Sequence, residues 1–295
     1  MAGLKMKALY NQYFCSPSAR FYILAFFLAF VFLTGGSSRD DVQSLIILRP
    51  AAVIFAAYAL TVADFSEWKG RLFPLYILLA LAALMVIQLI PLPPSLWTQL
   101  PERELFKDIA VLAGIDQPWR PLSIAPSRTL NSLFSLSVPL AALFLYLNLP
   151  NEMRFRAIIL IMIFILFSAL LAIGQIAGPS KNALYLYRIT NFNSPVGFFA
   201  NRNHQASLLA ALILLLGWYG GIINAQKLRG NVRAFGAILA IIVILPLIFI
   251  TGSRAGLILS GAALPAAIWF FFKGLSTMRL MLERRLNRNS SKKDF

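Results

Sequence analysis

Eight runs of strongly apolar residues, each near the length of a bilayer-crossing helix, divide this chain from end to end. A hydrocarbon core about 30 Å thick takes roughly 20 residues of helix. The runs fall at about 21–36, 44–63, 72–91, 129–148, 157–177, 204–223, 234–251 and 255–272. In hydrocarbon the backbone must satisfy its own N–H and C=O groups, which helix does within each run. Only Thr251, Gly252, Ser253 and Arg254 separate the last two runs. As one helix they would be about 60 Å long, so the chain turns there, with Ser253 placed to cap the helix that follows. The expected fold class is therefore all-α, a polytopic integral membrane bundle of about eight spans. It forms a single membrane domain over 1–295, with an outer loop at 92–128 and a basic tail at 273–295.

Composition excludes the main soluble alternatives. Apolar residues make up 59% of the chain and charged residues 13%, and the mean hydropathy is +0.74. A net charge of +16 raises nucleic acid as a partner, but that needs a basic face on a folded domain, and no soluble segment is long enough to supply one. No nucleic acid is expected; the lipid bilayer is. Cys15 is the only cysteine, which rules out a disulfide framework or thiolate metal site and leaves a free thiol. No Asp/His metal cluster stands out, so neither metal nor cofactor is implied. The first apolar run follows Lys5, Lys7 and Arg20 as a signal peptide would. Without an A-x-A-like site it reads as a retained anchor.

The basic residues set the orientation. With the N-terminus inside, 17 of the 27 lysines and arginines fall on the cytoplasmic side, in short loops where the positive-inside rule applies. Both termini are then cytoplasmic. Leu105, Phe106, Ile109 and Leu112 recur at helical spacing between Trp97 and Trp119, opposite Glu102, Arg103, Lys107 and Asp108. They predict an interfacial helix in the outer loop. The tail repeats the pattern with Leu275, Met278, Met281, Leu282 and Leu286 against four arginines, an anchor for anionic lipid.

Two segments carry the candidate chemistry. Gly197-Phe198-Phe199-Ala200-Asn201-Arg202-Asn203-His204 leads into the sixth span, and Thr251-Gly252-Ser253-Arg254-Ala255-Gly256 into the eighth. Both spans run inward from the outer face, so two helix N-termini open there, each marked by an arginine. A helix N-terminus offers unpaired N–H groups and about half a positive charge, and guanidinium donates to phosphate in a fixed fork. One unit pair at about 4 Å is worth roughly 4 kcal/mol at an effective dielectric near 20, before desolvation. The arrangement suits a diphosphate; the alternative is that Arg202 and Arg254 only reach to the interface for water.

The same residues resemble the O-antigen ligase and polymerase family of bacterial envelope proteins. The resemblance rests on G-F-F-A-N-R-N-H, on T-G-S-R-A-G about fifty residues later, and on Trp119-Arg120-Pro121-Leu122-Ser123-Ile124-Ala125-Pro126 in the outer loop. It covers about residues 72–272. It implies glycan transfer from an undecaprenyl diphosphate carrier to an acceptor such as lipid A–core, at the periplasmic face of the inner membrane, by inverting, metal-independent chemistry. On that pattern Arg202 and Arg254 bind the diphosphate, with Arg49 a weaker third ligand. Asn201, Asn203 and Ser253 shape the site, and His204 is the candidate base. Family members continue into a large periplasmic loop that carries the proposed catalytic histidine. Here the chain ends at Phe295, so the expectation is a C-terminally shortened member of reduced or no activity. As a lone histidine at a helix start, His204 has a structural, hydrogen-bonded role as its other reading. Asp40 and Asp41 are a second candidate base, set against an ordinary polar turn.

Two other classes stay open: a small-anion transporter using the same arginines, and a non-catalytic partner that binds the carrier lipid. Gln88 and Gln175 are the clearest polar side chains deep in the spans, fewer than a transport path would need. The topology is testable directly. Reporter fusions after Arg71, Arg156 and Arg229 should report cytoplasm, and fusions near Gln117 and Lys181 periplasm; a cytoplasmic signal at Gln117 would reverse the orientation.

Overall fold

The computed structural model describes residues 16–37, 39, 41–221 and 227–290, with the backbone alone at 227–231 and 274–290. Cys15, Asp40 and the side chains of the basic tail lie outside the described residues. The chain is an all-α polytopic bundle. Its helices are α1 (Pro17–Thr34), α2 (Ser44–Thr61), α3 (Phe65–Trp68), α4 (Phe73–Leu89), α5 (Pro94–Trp97), α6 (Glu104–Leu112), α7 (Pro126–Ser135), α8 (Ser137–Leu147), α9 (Asn151–Ala177), α10 (Arg202–Gly221), α11 (Lys227–Thr251) and α12 (Arg254–Ser290). Among the described residues seven spans are long and apolar enough to cross a membrane, and α4, at 17 residues, is a shorter apolar helix.

The fourth span is α7 and α8 together, broken at Leu136. The cause is Pro139, which cannot donate to the carbonyl four residues back and whose ring crowds Ser135. The chain forms two compact units, Met1–Ala157 and Ile158–Phe295, with the boundary inside α9.

In the first unit Leu24 and Phe27 of α1, Leu48, Ala52 and Ala59 of α2, and Ala141 and Leu145 of α8 form the core. Phe27 meets Phe55 at 5.0 Å. The short α3 is capped by Asp64, whose carboxylate accepts from the hydroxyl and N–H of Ser66; these bonds hold its carboxyl below the usual range. It delivers Trp68 into a stack on Phe144 at 5.2 Å.

Asn148 organises one end of this unit. Its amide accepts from Trp68 Nε1 at 3.1 Å and donates to the Ala59 carbonyl at 2.7 Å, while its own carbonyl accepts from Arg20. Nearby, the buried Arg154 donates to the Leu147 carbonyl and pairs with Glu67 at 3.5 Å, and Arg71 reaches Asn151. Arg20 of α1, Arg71 of the segment before α4 and Arg154 of α9 thus share one end of the unit.

Loop 92–128 has a small structure of its own. Pro91–Leu92 pairs antiparallel with Arg120–Pro121. The guanidinium of Arg120 lies over Trp97 and Phe106 at 5.5 and 5.3 Å, contacts of the cation–π kind. The expected interfacial helix is α6, which turns Leu105, Ile109 and Leu112 outward and buries Ala110. Of the two tryptophans that flank it in sequence, Trp97 is fully buried, with its indole N–H on the Pro118 carbonyl, and Trp119 is exposed.

Replacing Asn148 by Leu keeps the branched outline but strips partners from buried Trp68 and Ala59. Each buried polar group left unpaired costs about 1–3 kcal/mol. Asn148→Leu should lower the apparent Tm of the detergent-solubilised protein by several degrees, and an unchanged melt would show that water replaces the amide.

Candidate functional site

The second unit is organised around α10, the most buried of the spans, with 56% of its apolar window inside the protein. Small residues let α12 approach it closely. A Cβ on Gly256 would come 2.4 Å from Ala206 Cβ, one on Gly217 would come 2.6 Å from Ala267 Cα, and one on Gly221 would come 2.9 Å from the Phe271 carbonyl oxygen. The partners stay fifty residues apart from one end of the contact to the other, so the two helices run parallel and in register. Their N-termini therefore lie at the same end of the unit.

Each N-terminus is built by the motif that precedes it. At α10, Asn201 is the cap, its side-chain oxygen accepting from the Asn203 N–H at 2.8 Å, while Asn191 Oδ1 takes the Arg202 N–H at 3.1 Å. At α12, Thr251 Oγ1 accepts from Ser253 N, Gly252 adopts φ +63°, and Ser253 Oγ accepts from Gly256 N at 3.0 Å. Ser253 is thus the N-cap that the sequence predicts, and the expected chain reversal is a turn of two residues.

The loop before α10 is held from below by buried polar side chains. Gln175, near the end of α9, accepts through Oε1 from Val196 N and Gly197 N and donates through Nε2 to the carbonyls of Leu184 and Gly197. Ser168 donates to Gln205 Oε1 at 2.7 Å and accepts from Phe198 N. Gly197 sits between these groups at φ +58°, and a Cβ there would lie 2.3 Å from Ser168 Oγ and 2.4 Å from Gln205 Oε1. The glycine that opens the first motif is therefore fixed by both backbone conformation and space.

The predicted residues divide as follows. Arg202 lies against the start of α12, its Nη1 3.4 Å from where a Cβ on Gly252 would be. Arg254 is the first residue of α12, two positions on, and is exposed. Arg254 and Gly256 are about 200° apart around the helix, so Arg254 leaves α12 on the side away from α10. The two arginines thus flank the turn at Gly252 and Ser253 from either side. Neither guanidinium donates a hydrogen bond or forms an ion pair among the described residues. Asn203 is exposed one residue further along α10. His204 is exposed with its ring edge-on to Phe199 at 5.8 Å. Also about 200° from Arg202, it points away from α12. Arg49 belongs to the first unit and is held there by Asn131 and Ser135.

The charge balance of this unit is one-sided. From Ile158 to Lys273 the chain has eight lysines and arginines and no aspartate or glutamate. Intramolecular carboxylates from this stretch cannot neutralise Arg202 and Arg254, and two helix N-termini add to the positive field. An anion is the complementary ligand. Sequence reasoning missed Asn191, Ser168 and Gln205 as supports of this end, because single polar residues in a loop or a span carry no periodic signal.

Gly197→Ala should destabilise the unit by about 1–3 kcal/mol or more, the range for overpacking a close-packed site. It should lower the apparent Tm and loosen the loop to limited proteolysis, whereas Gly236→Ala, in open space, should do neither. No family model, curated protein or solved structure matches this chain.

Proposed function

We propose that this chain binds an undecaprenyl diphosphate-linked glycan at the α10–α12 end and serves its transfer to an acceptor sugar such as that of lipid A–core. This is the reaction of the O-antigen ligases, at the periplasmic face of a bacterial inner membrane. One observation carries the reading. The two motif-bearing helices run parallel and in register, so Arg202 lies beside the turn that begins α12, with Arg254 on its far flank. A diphosphate over that turn meets capped N-termini and a guanidinium on each side, in a stretch without carboxylates.

In the proposed step the acceptor hydroxyl oxygen attacks the anomeric carbon from the face opposite the diphosphate. The bond from that carbon to the diphosphate oxygen breaks, undecaprenyl diphosphate leaves with the electron pair, and the hydroxyl proton passes to a base. Arg202 and Arg254 stabilise the charge that builds on the leaving group, an electrostatic contribution that grows toward the transition state. Between Ile158 and Lys273 His204 is the only histidine. It faces away from Arg202, so donor binding and proton removal are assigned to different faces of α10.

Binding of the purified protein to undecaprenyl diphosphate-linked glycan tests this. A charge-assisted hydrogen bond is worth about 1.5–3 kcal/mol, so Arg202→Ala and Arg254→Ala should each weaken binding about tenfold or more. Arg254→Lys should weaken it too, because lysine keeps the charge and loses the fork. His204→Ala should leave binding unchanged while removing whatever transfer to lipid A–core is measured. Binding indifferent to both arginines would defeat the glycan-transfer reading and favour anion transport.

A further inference from the structure

Arg49 belongs to the first unit. It is the sixth residue of α2, about 8 Å along the helix, and a charge at such a depth in a span marks a ligand or ion site. The side chain does not stretch away toward water. Its Nη2 is held by three neutral acceptors, Asn131 Oδ1 at 2.6 Å, Ser135 Oγ at 3.0 Å and the Asn131 carbonyl at 3.2 Å. No carboxylate pairs with it among the described residues, and its buried Nε has no acceptor. The guanidinium is fixed in position, and among the described residues no carboxylate neutralises it.

Around it lies a groove of about 650 Å³ between α2, α4, α7 and α8. Apart from Arg49 its walls are almost wholly apolar, including Leu45, Val53, Leu79, Ala82 and Leu140. Val53, Leu79 and Phe134 on its border are each more than half exposed, so the groove opens sideways from the bundle. On its other side Arg49 borders a smaller cavity of about 210 Å³ with Ser37 and Ser135.

We propose that this groove binds one anionic glycerophospholipid, its phosphate on Arg49 and one acyl tail along the apolar wall. The volume lies within the roughly 300–1,000 Å³ of ligand pockets. A fixed, unneutralised guanidinium selects phosphate, and its net charge favours an anionic over a zwitterionic head group. The inference uses only residues of the first unit and does not rest on the glycan-transfer reading.

The full chain is reconstituted in nanodiscs holding equal amounts of phosphatidylglycerol and phosphatidylethanolamine, returned to mild detergent, and its retained lipid is counted by native mass spectrometry. One phosphatidylglycerol should remain, at least tenfold over phosphatidylethanolamine. Arg49→Gln should reduce that preference to about equality. Ala82→Trp, which fills the groove from α4 and leaves Arg49 in place, should cut retained phosphatidylglycerol at least tenfold, and it decides the matter if Arg49→Gln does not fold. No preference in the parent protein, a preference that survives either folded variant, or displacement of phosphatidylglycerol by an equimolar polyprenyl monophosphate would each overturn the proposal.

Discussion

The close parallel packing of α10 on α12 is the interaction on which the second unit depends. Lipid tails are as apolar as leucine, so spans gain little from hydrophobicity alone and associate through close contact of backbones. Ala206 over Gly256, Gly217 over Ala267 and Gly221 over Phe271 supply that contact at three levels. Parallel neighbours cannot be joined by a short loop; the chain must travel back first, and α11 is that return. The two-residue turn after Thr251 then starts α12 beside Arg202. A larger side chain at any of these small residues would tilt or slide one helix against the other and separate the two motifs. The site is therefore a consequence of helix packing, and its residues need no direct contact with one another to be positioned.

The first unit relies on a different device. Its helices meet through larger side chains, and its ends are fixed by polar side chains bound to backbone carbonyls of other elements. Asn148, Arg20 and Arg154 all act this way. Such carbonyls are free because helices end there, leaving their last four unpaired. In a protein with few acidic residues, backbone oxygen is the abundant acceptor for arginine. Arg154 adds Glu67, half-exposed at the rim, and the contribution of that pair is small beside its bond to the Leu147 carbonyl.

The apolar spans were legible in the sequence because membrane thickness fixes the length of an apolar run and the Thr-Gly-Ser break can only be a turn, although seven rather than eight are long and apolar enough to cross among the described residues. Ser253 was placed at a helix start by the same logic and caps it, whereas the cap by Asn201 was not read from the sequence. The break at Leu136 was not seen, although Pro139 announces it, because hydropathy averages across a kink. The burial of Trp97 was not legible either, because only the fold shows Arg120 and Pro118 enclosing it. At the candidate site, sequence could name Arg202 and Arg254 but not their relation. That relation comes from the fifty-residue register of α10 and α12, a property of small residues scattered through apolar runs, where no periodic pattern exposes it. Gln175 stood out as polar in a span, yet its function as a clamp on Val196 and Gly197 required the loop to be folded over it.

The absence of acidic residues between Ile158 and Lys273 also limits what that stretch can do by itself. A stretch of cations, capped helix ends and amides can hold an anion and steady a departing one. It has no carboxylate to take a proton, and its single imidazole is turned from Arg202 across the width of a helix. General-base catalysis requires the base within about 3 Å of the reacting hydroxyl, or one water away. On the proposed transfer reading, an acceptor reaching His204 while its hydroxyl meets a donor beside Gly252 would have to bend around the N-terminus of α10. In the proposed transfer, donor binding and acceptor activation thus make separate demands, and the arginines beside the Gly252 turn bear only on the first.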